Sequence, residues 1–80
     1  MSSTKLKILV FGQLEEAVGQ KVIEMEPVTD TSELKRQLYR QFPALGSEVF
    51  RMAVNADIIS SDIPLPSGAT IALLPPFSGG

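Results

Sequence analysis

Cysteine and histidine are absent from this sequence of 80 residues, and tryptophan with them. Without a thiol or an imidazole there is no disulfide scaffold, no zinc knuckle, no Cys-ligated iron–sulfur centre, no His-ligated haem and no imidazole-based dyad or triad. A chain of this length buries roughly 60% of its open surface in one core and is marginally stable when nothing staples it. A strong charge of either sign is lacking too. Seven Lys and Arg against nine Asp and Glu leave a net charge of −2, so no basic field attracts nucleic acid or anionic lipid. Residues Ile63 to Gly80 carry no ionisable side chain, yet Pro64, Pro66, Pro75 and Pro76 break the stretch and rule out a membrane span. Met1 to Lys5 leads straight into a short apolar run with none of the parts of a signal peptide, so a cytoplasmic location is expected.

What is present is an ordinary globular balance, 44% apolar and 20% charged, read as a single domain over residues 1–80. Lys5 to Phe11 alternates, with Leu6, Ile8 and Val10 on one face and Lys5, Lys7, Leu9 and Phe11 on the other, and predicts a first strand ended by Gly12. Leu14 to Val18 suits a short helical turn closed by Gly19. Lys21 to Glu26 alternates again and predicts the return strand of a hairpin with a wide loop. Asp30 with Glu33 three residues on is a capping-box-like helix start. Leu34, Leu38 and Phe42 then recur at helical spacing, with Lys35, Arg36 and Arg40 placed toward the C-terminus to suit the macrodipole and Pro43 as the stop. Arg51 to Asn55, Ile58–Ile59 and Thr70 to Leu74 are the remaining strands, with a tight turn at Asn55-Ala56-Asp57. The strand–strand–helix–strand–strand order predicts an α+β fold of the β-grasp type. In it a mixed sheet of four to five strands wraps one main helix, whose crossover links parallel neighbouring strands.

Side chains give little for chemistry. Glu15 and Glu16 are sequence neighbours in a loop, Glu24 and Glu26 share an exposed strand face near Lys21, and the serines have no imidazole partner. The glycines at positions 12, 19 and 46 are isolated turn residues, not a phosphate-binding loop, and no metal site is expected.

The C-terminus is the exception. Leu74-Pro75-Pro76-Phe77-Ser78-Gly79-Gly80 leaves the last strand through two prolines, which discourage further ladder pairing, and ends on two residues without Cβ. Residues 75–80 read as a slim, flexible, projecting tail, suited to threading a narrow channel and presenting the carboxylate of Gly80 to another protein. Gly79 keeps that tail slim.

Val54-Asn55, Pro64-Leu65, Gly68 and Ile71-Ala72-Leu73-Leu74-Pro75-Pro76-Phe77-Ser78-Gly79-Gly80, with Leu14-Glu15-Glu16-Ala17-Val18-Gly19 after the first strand, resemble the ubiquitin-like sulfur carriers of the MoaD type, the small subunits of molybdopterin synthase. Glu15 departs from the Arg common at that place. The resemblance implies that an E1-like adenylyltransferase spends ATP to adenylate Gly80, the only nucleotide contact expected. A sulfur-donor protein then converts the acyl adenylate to a thiocarboxylate, a stronger nucleophile at neutral pH than a carboxylate. It further implies that the loaded tail enters a large subunit, in a heterodimer or heterotetramer, and gives its sulfur to cyclic pyranopterin monophosphate. No cofactor is expected to be bound by the carrier itself, which has no independent active site. Alternatives in the same class are a thiamine-type sulfur carrier and a ubiquitin-like protein modifier; outside it stands a β-grasp interaction module without catalytic role.

An interface is expected on the sheet face away from the helix. Leu9 and Phe11 point there, the last strand lying beside the first adds Ala72 and Leu74, and an exposed apolar patch of this kind marks a contact surface. Phe77 is the expected anchor of the tail, and the resemblance adds Ile58 as a contact residue.

Overall fold

The computed structural model describes residues 5–76. In chain order it contains β1 (Leu6–Val10), α1 (Leu14–Val18), β2 (Val22–Met25), α2 (Thr31–Gln41), a 3₁₀ helix (Pro43–Ser47), β3 (Arg51–Val54), β4 (Asp57–Ile59) and β5 (Thr70–Leu74). The five strands form one sheet in the order β2-β1-β5-β3-β4. β1 pairs antiparallel with β2 and parallel with β5. β3 pairs antiparallel with both β5 and β4. This is the β-grasp arrangement that the element order predicts.

One expectation changes. β2 and β3, joined through α2, run in the same direction but are not neighbours, because β1 and β5 occupy the two places between them. The centre of the sheet thus goes to the first and last strands, the two with the fullest apolar inner face. Leu6, Ile8 and Val10 of β1 and Ile71 and Leu73 of β5 are all at most 2% exposed. They pack with Ile23 and Met25 of β2, Met52 and Val54 of β3, Leu14 of α1, Leu34 and Leu38 of α2, and Leu45 of the 3₁₀ helix. Each such side chain contributes about 1.5–3 kcal/mol by leaving water. Phe42 caps the C-terminus of α2 and rests half-buried against this core instead of in it.

The start of α2 is held twice. Asp30 accepts the Glu33 N–H at 2.9 Å, which is half of a capping box. The reciprocal half is not made: the Glu33 carboxylate takes the Gln37 amide at 3.0 Å and faces Arg36 at 3.8 Å. Asp62, from the loop after β4, accepts hydrogen bonds from the hydroxyls of Ser32 and of Thr31, the latter at 2.6 Å. The buried Thr31 hydroxyl in turn accepts the Ile63 N–H at 3.1 Å. These bonds hold the Asp62 carboxyl below its ordinary pKa, the Ser32 hydroxyl most, then Thr31, with the Lys35 ammonium assisting. Of the three α2 bases only Arg40 reaches the last turn; Lys35 and Arg36 sit mid-helix, too far from the terminal carbonyls for the macrodipole to act on them strongly.

Candidate functional site

The face of the sheet turned away from α2 is built by strand alternation. On β1 the inward Leu6, Ile8 and Val10 leave Lys7 and Leu9 outward, and on β5 the inward Ile71 and Leu73 leave Thr70, Ala72 and Leu74 outward. Pairing then aligns these outward residues across strands. Val22 stands opposite Leu9, Leu9 opposite Ala72, Ala72 opposite Ala53, and Ala53 opposite Ile58. The result is one transverse row, Val22–Leu9–Ala72–Ala53–Ile58, that crosses all five strands and contains no polar side chain. At a strand spacing of about 4.8 Å it is roughly 19 Å long.

The rows on either side differ in character. On one side Glu24, Lys7 and Thr70 stand opposite one another and are polar. On the other, Leu74 faces Arg51, and Phe11 extends the β1–β5 ladder by donating its N–H to the Leu73 carbonyl at 3.1 Å. Phe11, Val22 and Ile58 are 43%, 44% and 57% exposed, large values for side chains of this size, while Leu9, Ala72 and Leu74 are half-buried. Ala53, between them, is buried.

The tail begins at the edge of this surface. After Leu74 the half-buried Pro75 packs over the turn between β1 and α1. Gly12, at φ +61°, makes room for it: a Cβ at that position would stand 2.9 Å from Pro75 Cγ. The root of the tail is thereby set beside Phe11 and Leu74.

Of the residues expected from the sequence, the structure brings Leu9, Phe11, Ile58 and Leu74 onto one face. Phe77, Gly79 and Gly80 lie outside the described residues. Two members of the row, Val22 and Ala53, were not foreseen. Their alternation marks them as outward, but their place in the row depends on register across the wide β1–β2 loop and between β3 and β5, which periodicity does not carry. Glu15 is half-buried on α1, and Glu24 stands opposite Lys7. Among the described residues no group of three or more Asp and Glu is placed to hold a metal ion, and no helix is long and apolar enough to cross a membrane.

The ThiS family model matches residues 8–80. The chain is 38% identical over 85 residues to the molybdopterin synthase sulfur carrier subunit of Dictyostelium discoideum, covering 98% of this chain and 99% of the relative. It is 35% identical over 80 residues to the protein of the same name from Escherichia coli strain K12, covering 94% and 99%. Among solved structures, a chain from the complex of subunits 1 and 2 of the molybdopterin-converting factor of Helicobacter pylori 26695 matches with a TM-score of 0.73 at 26% identity, covering 95% of this chain and 99% of that chain.

Proposed function

This chain belongs to the ThiS family, and from that premise we propose that it is a sulfur carrier in molybdenum cofactor biosynthesis, acting as the small subunit of a molybdopterin synthase. The observation that carries the proposal is the end-to-end likeness to two relatives that bear that name. The apolar face supports it, because Phe11 and Leu74, which flank its central row, stand beside the root of the tail, and a carrier has to be gripped where its reactive end leaves the domain.

The chemistry is that of the sulfur carriers the chain resembles, and the chain's composition is compatible with it. With no thiol or imidazole, its reactive group is the main-chain carboxylate of Gly80. An E1-like adenylyltransferase joins that carboxylate to the α-phosphate of ATP with release of pyrophosphate, turning an inert oxyanion into a mixed anhydride with a good leaving group. A sulfide equivalent from a donor protein attacks the carbonyl carbon, AMP departs with the bonding pair, and a thiocarboxylate remains. Its sulfur is nucleophilic at neutral pH for the reason a thiolate is. Inside the large subunit, in a heterodimer or heterotetramer, it attacks a carbon of cyclic pyranopterin monophosphate and displaces an oxygen leaving group from it. Hydrolysis of the resulting thioester between carrier and pterin leaves the sulfur on the pterin and returns the carboxylate for another cycle. Gly79 and Gly80 keep the end narrow enough to pass through both partner sites. Catalytic side chains come from the partners, and the nucleotide is met only as the acyl adenylate. The setting is the cytoplasm.

A partner presses on the outer face of the sheet. Leu9, Phe11, Ile58 and Leu74 form the contact, and Phe77 seats the tail. A standard interface covers about 800 Å² per side, which a row roughly 19 Å long with its flanking residues can supply.

Intact mass of the protein co-produced with its activating enzyme and sulfur donor tests the reading. One sulfur in place of one oxygen at Gly80 is expected. Isopeptide adducts to lysines would make it a modifier, and an unchanged mass would remove the carrier reading.

A further inference from the structure

Leu74, the last residue of β5, has Arg51 as its partner across the β3–β5 ladder, which places their Cα atoms within about 5.5 Å of each other. Arg51 is exposed. The two ion pairs formed among the described residues, Lys5–Glu26 and Glu33–Arg36, do not include it. Strand alternation sets Arg51 on the same face as Ala53, in the row that begins with Phe11 and Leu74. A cation therefore ends the otherwise apolar surface at the point where the tail departs, on a chain whose net charge is −2.

A partner that draws in the tail covers this place. A guanidinium stripped of water with no counter-charge is costly, and a carboxylate is the planar two-oxygen acceptor that matches its fork of donors. We infer that Arg51 reads an acidic side chain of the partner subunit beside the root of the tail, and so adds a charge requirement to the apolar fit. Arg51 is a specificity residue in this scheme, with no part in the sulfur chemistry. The inference rests on the carrier reading above, since it needs a partner that closes over Leu74.

The test is calorimetric titration of the whole carrier into the large subunit encoded by the same genome, at low and moderate salt, with unsubstituted protein, R51K, R51Q and R51E. Melting curves confirm that each exposed-site variant folds. R51Q is expected to bind about 30-fold more weakly and R51E more weakly still, while R51K, which keeps the charge but loses the fork, falls between R51Q and the unsubstituted chain. Affinity should fall with salt for the unsubstituted chain and R51K, and much less for R51Q. Equal affinities across the series, or a loss in R51Q with the salt dependence intact, would overturn the inference while leaving the carrier reading in place. If the unsubstituted chain does not bind the large subunit at all, both fail together.

Discussion

Leu9 of β1 and Ala72 of β5 stand directly opposite each other in the parallel pairing at the centre of the sheet. The first and last strands thus meet at the middle of the apolar row, and the strand that leads into residues 75–80 also carries the centre of that row. Under the proposed function, the position of the partner and the delivery of the C-terminus are coupled through a single element.

Leu74→Arg puts that coupling to the test. Leu74 is half-buried and outward, on a face with no core behind its side chain. An arginine can extend into water in the free protein but is trapped in a covered apolar contact. Binding to the large subunit should weaken by more than about 30-fold, the loss expected when a charge replaces an apolar side chain in a covered contact. The melting temperature should barely move. Undiminished affinity in a titration would remove this face as the docking surface.

Removal of Gly80 separates function from fold. Among the described residues the buried core runs from Leu6 to Leu73, and glycine has no side chain to add to it. Thiocarboxylate formation should be abolished, while stability to urea changes by less than about 0.5 kcal/mol, as for other surface changes. A substantial loss of stability would show that the tail packs on the domain, contrary to its assignment as a projecting end.

The sequence makes the β-grasp order, the inward Leu6, Ile8 and Val10 of β1, and the outward Leu9 and Phe11 legible, the faces because they depend on a local period of two. Register is different. That Val22, Ala53 and Ile58 fall into line with Leu9 depends on how strands separated by long stretches of chain slide past one another, and a shift by one residue would turn each to the other face. Asp62 was also illegible. In the sequence it is a polar residue in a loop, and only the fold brings it to the start of α2, some 30 residues earlier in the chain. Glu33 is a case of the opposite kind, where the local motif was right in form but Gln37 and Arg36, on the same helix, took its carboxylate.

The β3–β4 turn offers a stabilising change. Asn55 and Ala56 have φ +49° and +74°, the two left-handed residues of a type I′ hairpin. Asn tolerates that region, and here it is also tied to the start of β5. Its side-chain carbonyl accepts the Thr70 N–H at 3.0 Å, and its own N–H donates to the Thr70 carbonyl at 2.8 Å. Ala56 has no such compensation. Left-handed backbone costs a non-glycine residue about 1–2 kcal/mol, and glycine forfeits about 0.5–1 kcal/mol of chain entropy. Ala56→Gly should therefore stabilise the fold by roughly 0.5–1 kcal/mol, read from urea denaturation at constant slope. No gain, or a loss, would mean that the strain at this turn is relaxed in solution.

Asp62 should leave a signature in the acid limb of stability. Its carboxyl is held below its ordinary pKa, first by the Ser32 hydroxyl, then by Thr31 and Lys35. Because the folded chain holds that proton less tightly than the unfolded chain, the contribution is fully present above the ordinary aspartate value of about 3.9. It disappears as pH falls through the lowered folded value. Asp62→Asn keeps an oxygen for one hydroxyl and loses the charge. Thermal melts at neutral pH should place the variant below the unsubstituted protein, and the gap should close on the acid side of about pH 3.9 as both species come to carry an uncharged side chain. A gap that stays constant from neutral to strongly acidic pH would show that the Asp62 carboxylate is not what ties the β4–β5 loop to the start of α2.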